Sequence, residues 1–161
     1  MLCPAFPATL APRGFSDRVV VTKITCSNQA EAYARARAYA AANGGSVGLT
    51  SGTPSMEPLI HGQTFTVIQD RPYNLIKKYD LLVYMGRPNA SKPDRLEMLH
   101  RAVKGDRYGW IMSGDNNRWS ESWDRVTPKT YLGTVVALFE CPDAAATPIP
   151  AAVETARVTP R

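Results

Sequence analysis

From Val47 to Glu140 the chain is divided by turn residues into short apolar runs, and that punctuation constrains its fold more than any other feature. Thr64–Gln69, Asp80–Met85, Leu96–Val103, Gly109–Met112 and Tyr131–Glu140 are rich in β-branched, aromatic and aliphatic residues. Gly, Pro, Asn and Asp collect between them, as they do between strands. The expected fold is therefore mainly β, within the α+β class, with strands paired by short connections.

One segment breaks this pattern. Val19 to Thr25 is β-branched and reads as a strand. Behind it Ser27 or Asn28 caps a helix, and Asn28, with Glu31 three residues later, resembles a capping box. Alanines fill the helix that follows, Tyr33 and Tyr39 supply contact area, and Asn43-Gly44-Gly45 ends it as left-handed C-caps do. Four regions result: an irregular Pro-rich arm over 1–17, a strand–helix extension over 18–46, a β domain over 47–140 and a disordered tail over 141–161. The tail is rich in Pro and Ala and too poor in large apolar side chains to offset its ordering entropy. Arg87 to Asp94, with two prolines, reads as a polar loop.

At 161 residues the chain is long enough for one domain with a substantial core. The formal charge of +5 is spread over scattered residues such as Arg35, Lys77, Lys104 and Arg107. This argues for a solvated surface and against nucleic acid as a partner, while an anionic membrane surface or a membrane-protein partner stays open. Cys3, Cys26 and Cys141 have no metal-ligand spacing, so neither a metal nor any other cofactor is expected. Reduced thiols are the preferred reading, with a Cys26–Cys141 pairing left open for an oxidising compartment. The Ala-rich segment Asn28 to Ala42 spans about 22 Å as a helix, short of the roughly 30 Å hydrocarbon core, and carries Glu31, Arg35 and Arg37. Residues 1–17 contain no apolar core suited to an export signal. The expectation is a soluble, cytoplasmic chain.

The residues with chemical potential stand in a particular order. Ser55-Met56-Glu57-Pro58 puts a hydroxyl between two prolines that restrict the backbone on either side. His100-Arg101-Ala102-Val103 puts a proton acceptor on an apolar strand, and Gly114-Asp115-Asn116-Asn117 adds an acidic turn. A serine hydroxyl needs a base within hydrogen-bond reach to act as a nucleophile. Histidine as a residue type titrates near neutrality and fills that role without strong desolvation. Lys104 shares a strand face with His100 but lies about 13 Å further along, which favours His100. His61 reads as a loop residue.

Together these segments resemble the signal peptidase I family of serine peptidases, whose relatives include self-cleaving repressors. The similarity runs from about Leu49 to Phe139. Ser-Met-Glu-Pro-Leu-Ile at 55–60 is similar to the nucleophile box, and Lys78-Tyr79-Asp80-Leu81-Leu82-Val83-Tyr84 to a Gly-Asp-apolar strand in which Tyr79 replaces the glycine. His100-Arg101-Ala102-Val103 is similar to the general-base strand. Gly114-Asp115-Asn116-Asn117, with Ser120, Asp124 and Arg125 behind it, is similar to the last box before the strand Leu132 to Val136. Histidine immediately before Arg-Ala-Val is the arrangement of the endoplasmic-reticulum and archaeal type.

The resemblance implies a signal-peptidase or repressor-protease-like β fold and a serine endopeptidase. Its substrates would be polypeptides with small residues at the first and third positions before the cut, added as an extended strand. Ser55 would be the nucleophile and His100 the general base. Asp124 would orient the base, with Asp115 a structural or secondary partner, while Ser120 remains an alternative orienting group. The Ser55 N–H and the Thr53 hydroxyl would stabilise the oxyanion, and Met56 would pack beside the site. Two alternatives stay open: an inactive scaffold or binding module with the same fold, and a self-processing phage or regulatory protein.

Overall fold

The longest apolar run, Tyr131 to Glu140, becomes the strand around which the rest is assembled. The computed structural model describes residues 21–87, 96–118 and 120–141, with the backbone alone for 121–124. The expected arm over 1–17, the polar loop beyond Arg87 and the tail beyond Cys141 lie outside the described residues. Among the described residues the element order is β1 (Thr22–Thr25), α1 (Gln29–Asn43), β2 (Ser46–Leu49), β3 (Thr64–Gln69), β4 (Leu81–Met85), β5 (Glu97–Asp106), β6 (Gly109–Ser113), β7 (Glu121–Val126) and β8 (Tyr131–Glu140). The protein is mainly β, and its described residues form one sheet of eight strands and one α-helix.

Along the sheet the strands run β2-β3-β8-β4-β5-β6-β7, with antiparallel neighbours throughout. β8 gives one edge to β3 and shares the other. Its first half pairs with β4, and Ala137 to Glu140 pair in parallel with β1. β1 and β2 are thus strands of the main sheet, and α1 packs over part of one of its faces.

A bulge in β8 sorts its side chains between two apolar layers. Val67 pairs with Ala137 and Ile68 with Val135, which leaves Val136 as the extra residue. An extra residue reverses the in-out alternation beyond it. Ala137 and Phe139 therefore pack with Phe65, Val67 and α1, whereas Val135 joins Leu138, Leu81, Val83, Met56 and Ile60 in another cluster. A third cluster joins Leu82 and Tyr84 of β4 to Ala102, Met112 and Val126. β4 is consequently buried on both faces, which explains its nearly unbroken apolar sequence.

Helix α1 starts as its sequence predicts. The Asn28 side chain accepts the Glu31 N–H at 2.9 Å, and the Glu31 carboxylate accepts the Ser27 N–H at 2.8 Å. Gly44 at φ +74 ends it. Ala32, Ala36 and Ala40 recur every four residues as one buried stripe. Their small side chains bring the helix close to the sheet. Tyr33 and Tyr39 flank the stripe and meet Phe65 and Phe139 at ring-centroid distances of 5.3 and 5.9 Å.

The strand expectations for Thr64–Gln69 and Tyr131–Glu140 coincide with β3 and β8. β5 runs beyond the expected Val103 to Asp106 because it continues as a hairpin with β6. β2 and β7 were not expected. Ser-Val-Gly-Leu and Glu-Ser-Trp-Asp-Arg-Val lack a clear period-two pattern, and each becomes a strand by pairing with a neighbour, β3 and β6 respectively. Among the described residues no helix is long and apolar enough to cross a membrane.

The alanine stripe leaves no room for added volume. Ala36→Leu is expected to lower unfolding stability by about 1–3 kcal/mol through overpacking. Ala38→Leu, at an exposed position of the same helix, should stay within about 0.5 kcal/mol of wild type. Urea denaturation of the two variants checks both values.

Candidate active site

Ser55 lies in a 3₁₀ turn, Pro54–Met56, that opens with proline and closes through a Glu57 N–H bond to the Pro54 carbonyl at 3.1 Å. Proline suits this first helical position, since its missing N–H would have no partner inside the helix and its φ is already helical. The turn is anchored from below by Met56 and Ile60, both buried against β4 and β8. Ser55 itself is half-buried, and Thr53 and Pro54 are exposed.

His100 comes to this turn from β5. It pairs in register with Leu82 and is 5% exposed. Its Nε2 lies 3.2 Å from Ser55 Oγ, across 45 residues of sequence. Its Nδ1 lies 3.1 Å from the hydroxyl of Tyr84, which sits two residues beyond Leu82 on β4. Diagonal neighbours on one sheet face are within reach of long aromatic side chains. With a proton on Nδ1 directed at the Tyr84 oxygen, Nε2 is left as the acceptor facing the serine. Thr53 Oγ1 is 3.4 Å from Ser55 Oγ on the exposed side. Lys104 is exposed further along β5, and His61 is an exposed loop residue 4.0 Å from Glu57.

The neighbour of His100 faces the other way and holds a different part of the site. Arg101 is fully buried, and its guanidinium grips Asp115 with Nε donating to Oδ1 at 2.7 Å and Nη2 to Oδ2 at 2.5 Å. Nη1 donates to the Tyr79 carbonyl at 3.1 Å. Asp115 is 1% exposed, so the pair is desolvated and fork-like. Asp115 thus serves the structure through Arg101. Tyr79 has φ +78, a conformation that glycine adopts freely and other residues rarely do. That accounts for the glycine the resemblance expected there. Here the Tyr79 backbone is held from both sides, its carbonyl by the Arg101 side chain and its N–H by the Ala102 carbonyl.

Asn116 was not singled out from the sequence. Its backbone N–H donates to the Ser55 carbonyl at 2.9 Å, and its side-chain amide donates to the Pro54 carbonyl at 3.0 Å. Gly114 makes this approach possible, since a Cβ there would lie 2.5 Å from the Ser55 carbonyl oxygen. The signal was present as Gly-Asp-Asn, but only the folded chain shows that the turn binds the backbone carrying Ser55.

Asp124 was expected to orient His100. Its backbone falls in β7, where the register slips between Arg125, opposite Ile111, and Glu121, opposite Met112. Its side chain lies outside the described residues. Ser120 is half-buried just before β7. Among the described residues no group of three His, Cys, Asp or Glu side chains could hold a metal ion. A cavity of about 270 Å³, lined by Met85, Arg87, Arg125 and Lys129 among others, opens between the end of β4 and the 127–130 turn, and neither Ser55 nor His100 lines it.

No family model, curated protein or solved structure matches this chain.

The Arg101–Asp115 pair sets a stability prediction. Arg101→Leu leaves the Asp115 carboxylate buried without its guanidinium and is expected to cost about 3–5 kcal/mol in urea unfolding. Adding Asp115→Leu to that variant should recover most of the loss, because it removes the stranded charge. A single-variant loss below about 1 kcal/mol would show that the pair does not hold the site together.

Proposed function

We propose that the protein is a serine endopeptidase similar to signal peptidase I, with Ser55 as nucleophile and His100 as general base. The observation that carries this reading is the 3.2 Å approach of His100 Nε2 to Ser55 Oγ. That distance lies within the roughly 2.6–3.2 Å reach of a reacting hydrogen bond, which is often longer still in a substrate-free enzyme. Proton transfer from Oγ to Nε2 accompanies attack on a peptide carbonyl. The imidazolium then returns the proton to the departing amine. Tyr84 holds the ring so that Nε2, rather than Nδ1, faces the serine.

The oxyanion that forms is negative and needs donors. The Ser55 N–H belongs to the first turn of a 3₁₀ helix, where amides have no acceptor within the helix, and the Thr53 hydroxyl stands beside it. The substrate would be a polypeptide with small residues at the first and third positions before the cut, as the resemblance implies. No metal or cofactor enters these steps.

The test uses a peptide with alanine at both of those positions. Wild type is expected to cleave it, and Ser55→Ala and His100→Ala should each lose at least about a thousandfold in kcat/KM. Lys104→Ala should remain within about threefold of wild type, being exposed and remote from Ser55. A serine-directed phosphonylating reagent should modify wild type at Ser55 and leave His100→Ala unmodified. Equal turnover by wild type and Ser55→Ala, with unchanged circular dichroism, would remove Ser55 from the role of nucleophile. Tyr84→Phe should lower kcat about tenfold with KM little changed, the size expected for one lost hydrogen bond.

A further inference from the structure

The proposed chemistry makes no use of the thiols, yet the fold brings two of them together. Cys26 immediately follows β1, and Cys141 immediately follows β8. The parallel register pairs Thr22 with Ala137 and continues to Thr25 with Glu140. One further step sets Cys26 opposite Cys141. The ladder reaches that far, because the Cys26 N–H donates to the Glu140 carbonyl at 2.8 Å.

Side-chain alternation agrees. Lys23 and Thr25 both reach the Glu140 carboxylate on one face, at 2.9 and 3.5 Å. Cys26 therefore points to the other face, where it is 5% exposed and packs in one cluster with Ala32, Ala137 and Phe139. Cys141, two residues after Phe139, has the same parity. Neighbouring strands lie about 4.8 Å apart, within the roughly 4.4–6.8 Å Cα separation that a disulfide spans. Both thiols are free in this structure.

We propose that Cys26 and Cys141 are a disulfide-forming pair that fastens the end of β1 to the end of β8 when the protein meets a small disulfide oxidant of the glutathione class. Cys141 is half-buried and is the thiol the oxidant reaches first. Burial pushes the Cys26 thiol pKa up, and the nearby Glu31 carboxylate adds to this, which makes Cys26 a slow nucleophile toward an oxidant in solution. In the first exchange the Cys141 thiolate attacks one sulfur of the oxidant, forms a mixed disulfide and expels one small thiolate. In the second, the Cys26 thiolate attacks the Cys141 sulfur and expels the other. The two protons lost by the protein thiols pass through water to the two departing thiolates. Two electrons leave the protein and reduce the oxidant. The bond closes nearly the whole described chain into one loop, the arrangement in which a cross-link most restricts the unfolded ensemble.

The experiment treats the folded full chain carrying Cys3→Ser with oxidised glutathione, followed by intact mass and peptide mapping. The expected result is the loss of two hydrogens and a single peptide pair joining residues 26 and 141. The thermal midpoint should rise by about 5 °C or more and return on reduction. Should Cys3→Ser fold poorly, mapping of the wild-type chain gives the same readout, since bridges to Cys3 yield different peptides. A mixed glutathione adduct that persists on Cys141 with Cys26 still alkylatable overturns the pairing. So does alkylation of both thiols after oxidant treatment. A cross-link that leaves the midpoint unchanged or lower overturns the fastening of β1 to β8.

Discussion

The buried pair of Arg101 and Asp115 is the interaction on which the arrangement of the candidate site depends. It joins the middle of β5 to the turn after β6, and both partners have left water to do so. Such a pair contributes little net free energy against an apolar replacement, because desolvation offsets the attraction. Its value lies in geometry. The planar guanidinium accepts a carboxylate in one orientation, so the turn from Gly114 to Asn117 is held at a fixed distance from β5. Asn116, next to Asp115, then bonds the carbonyls of Pro54 and Ser55. His100, next to Arg101, points its Nε2 at the hydroxyl of the same serine. Two adjacent residues on one strand thus position the serine from opposite directions, one through its backbone and the other at its side chain.

This arrangement needs a rigid base, and the sheet supplies it. β4 and β8 are buried on both faces: Met56 and Ile60 pack on one face of each, α1 covers the other face of β8, and Ala102, Met112 and Val126 cover that of β4. The bulge at Val136 lets β8 serve both layers, since it changes which face later side chains occupy. Helix α1 reaches the sheet closely because its inner stripe is alanine. The turn that carries Ser55 is consequently packed on a core strand pair, while its exposed side faces solvent through Thr53 and Pro54.

Much of the fold could be read from local sequence. β3, β8 and α1 were evident because β-branched runs, an Asn28–Glu31 cap and a Gly44 terminator act over a few residues. β2 and β7 were not evident, because polar or glycine-containing stretches become strands only when a neighbour offers its backbone groups. In the site, Ser55 and His100 were visible as residue types in a suggestive order. Asn116 was not, since an asparagine in a turn usually serves its own backbone. The Tyr84 partner of His100 was equally hidden, because it follows from the β4–β5 register.

By itself the sequence determined the class of fold, the position of the single described helix, the proline-bounded serine and the presence of an imidazole on an apolar strand. These depend on propensities and patterns that act within one segment. Only the tertiary structure decided that Nε2 of His100 faces Ser55, that Asp115 answers Arg101, that Asn116 holds the serine's turn and that the Cys26 N–H meets the Glu140 carbonyl. Each of these is a contact between distant segments, set by strand register and by which face a side chain occupies. A shift of one residue in register would turn His100 away from Ser55 and put Arg101 in its place.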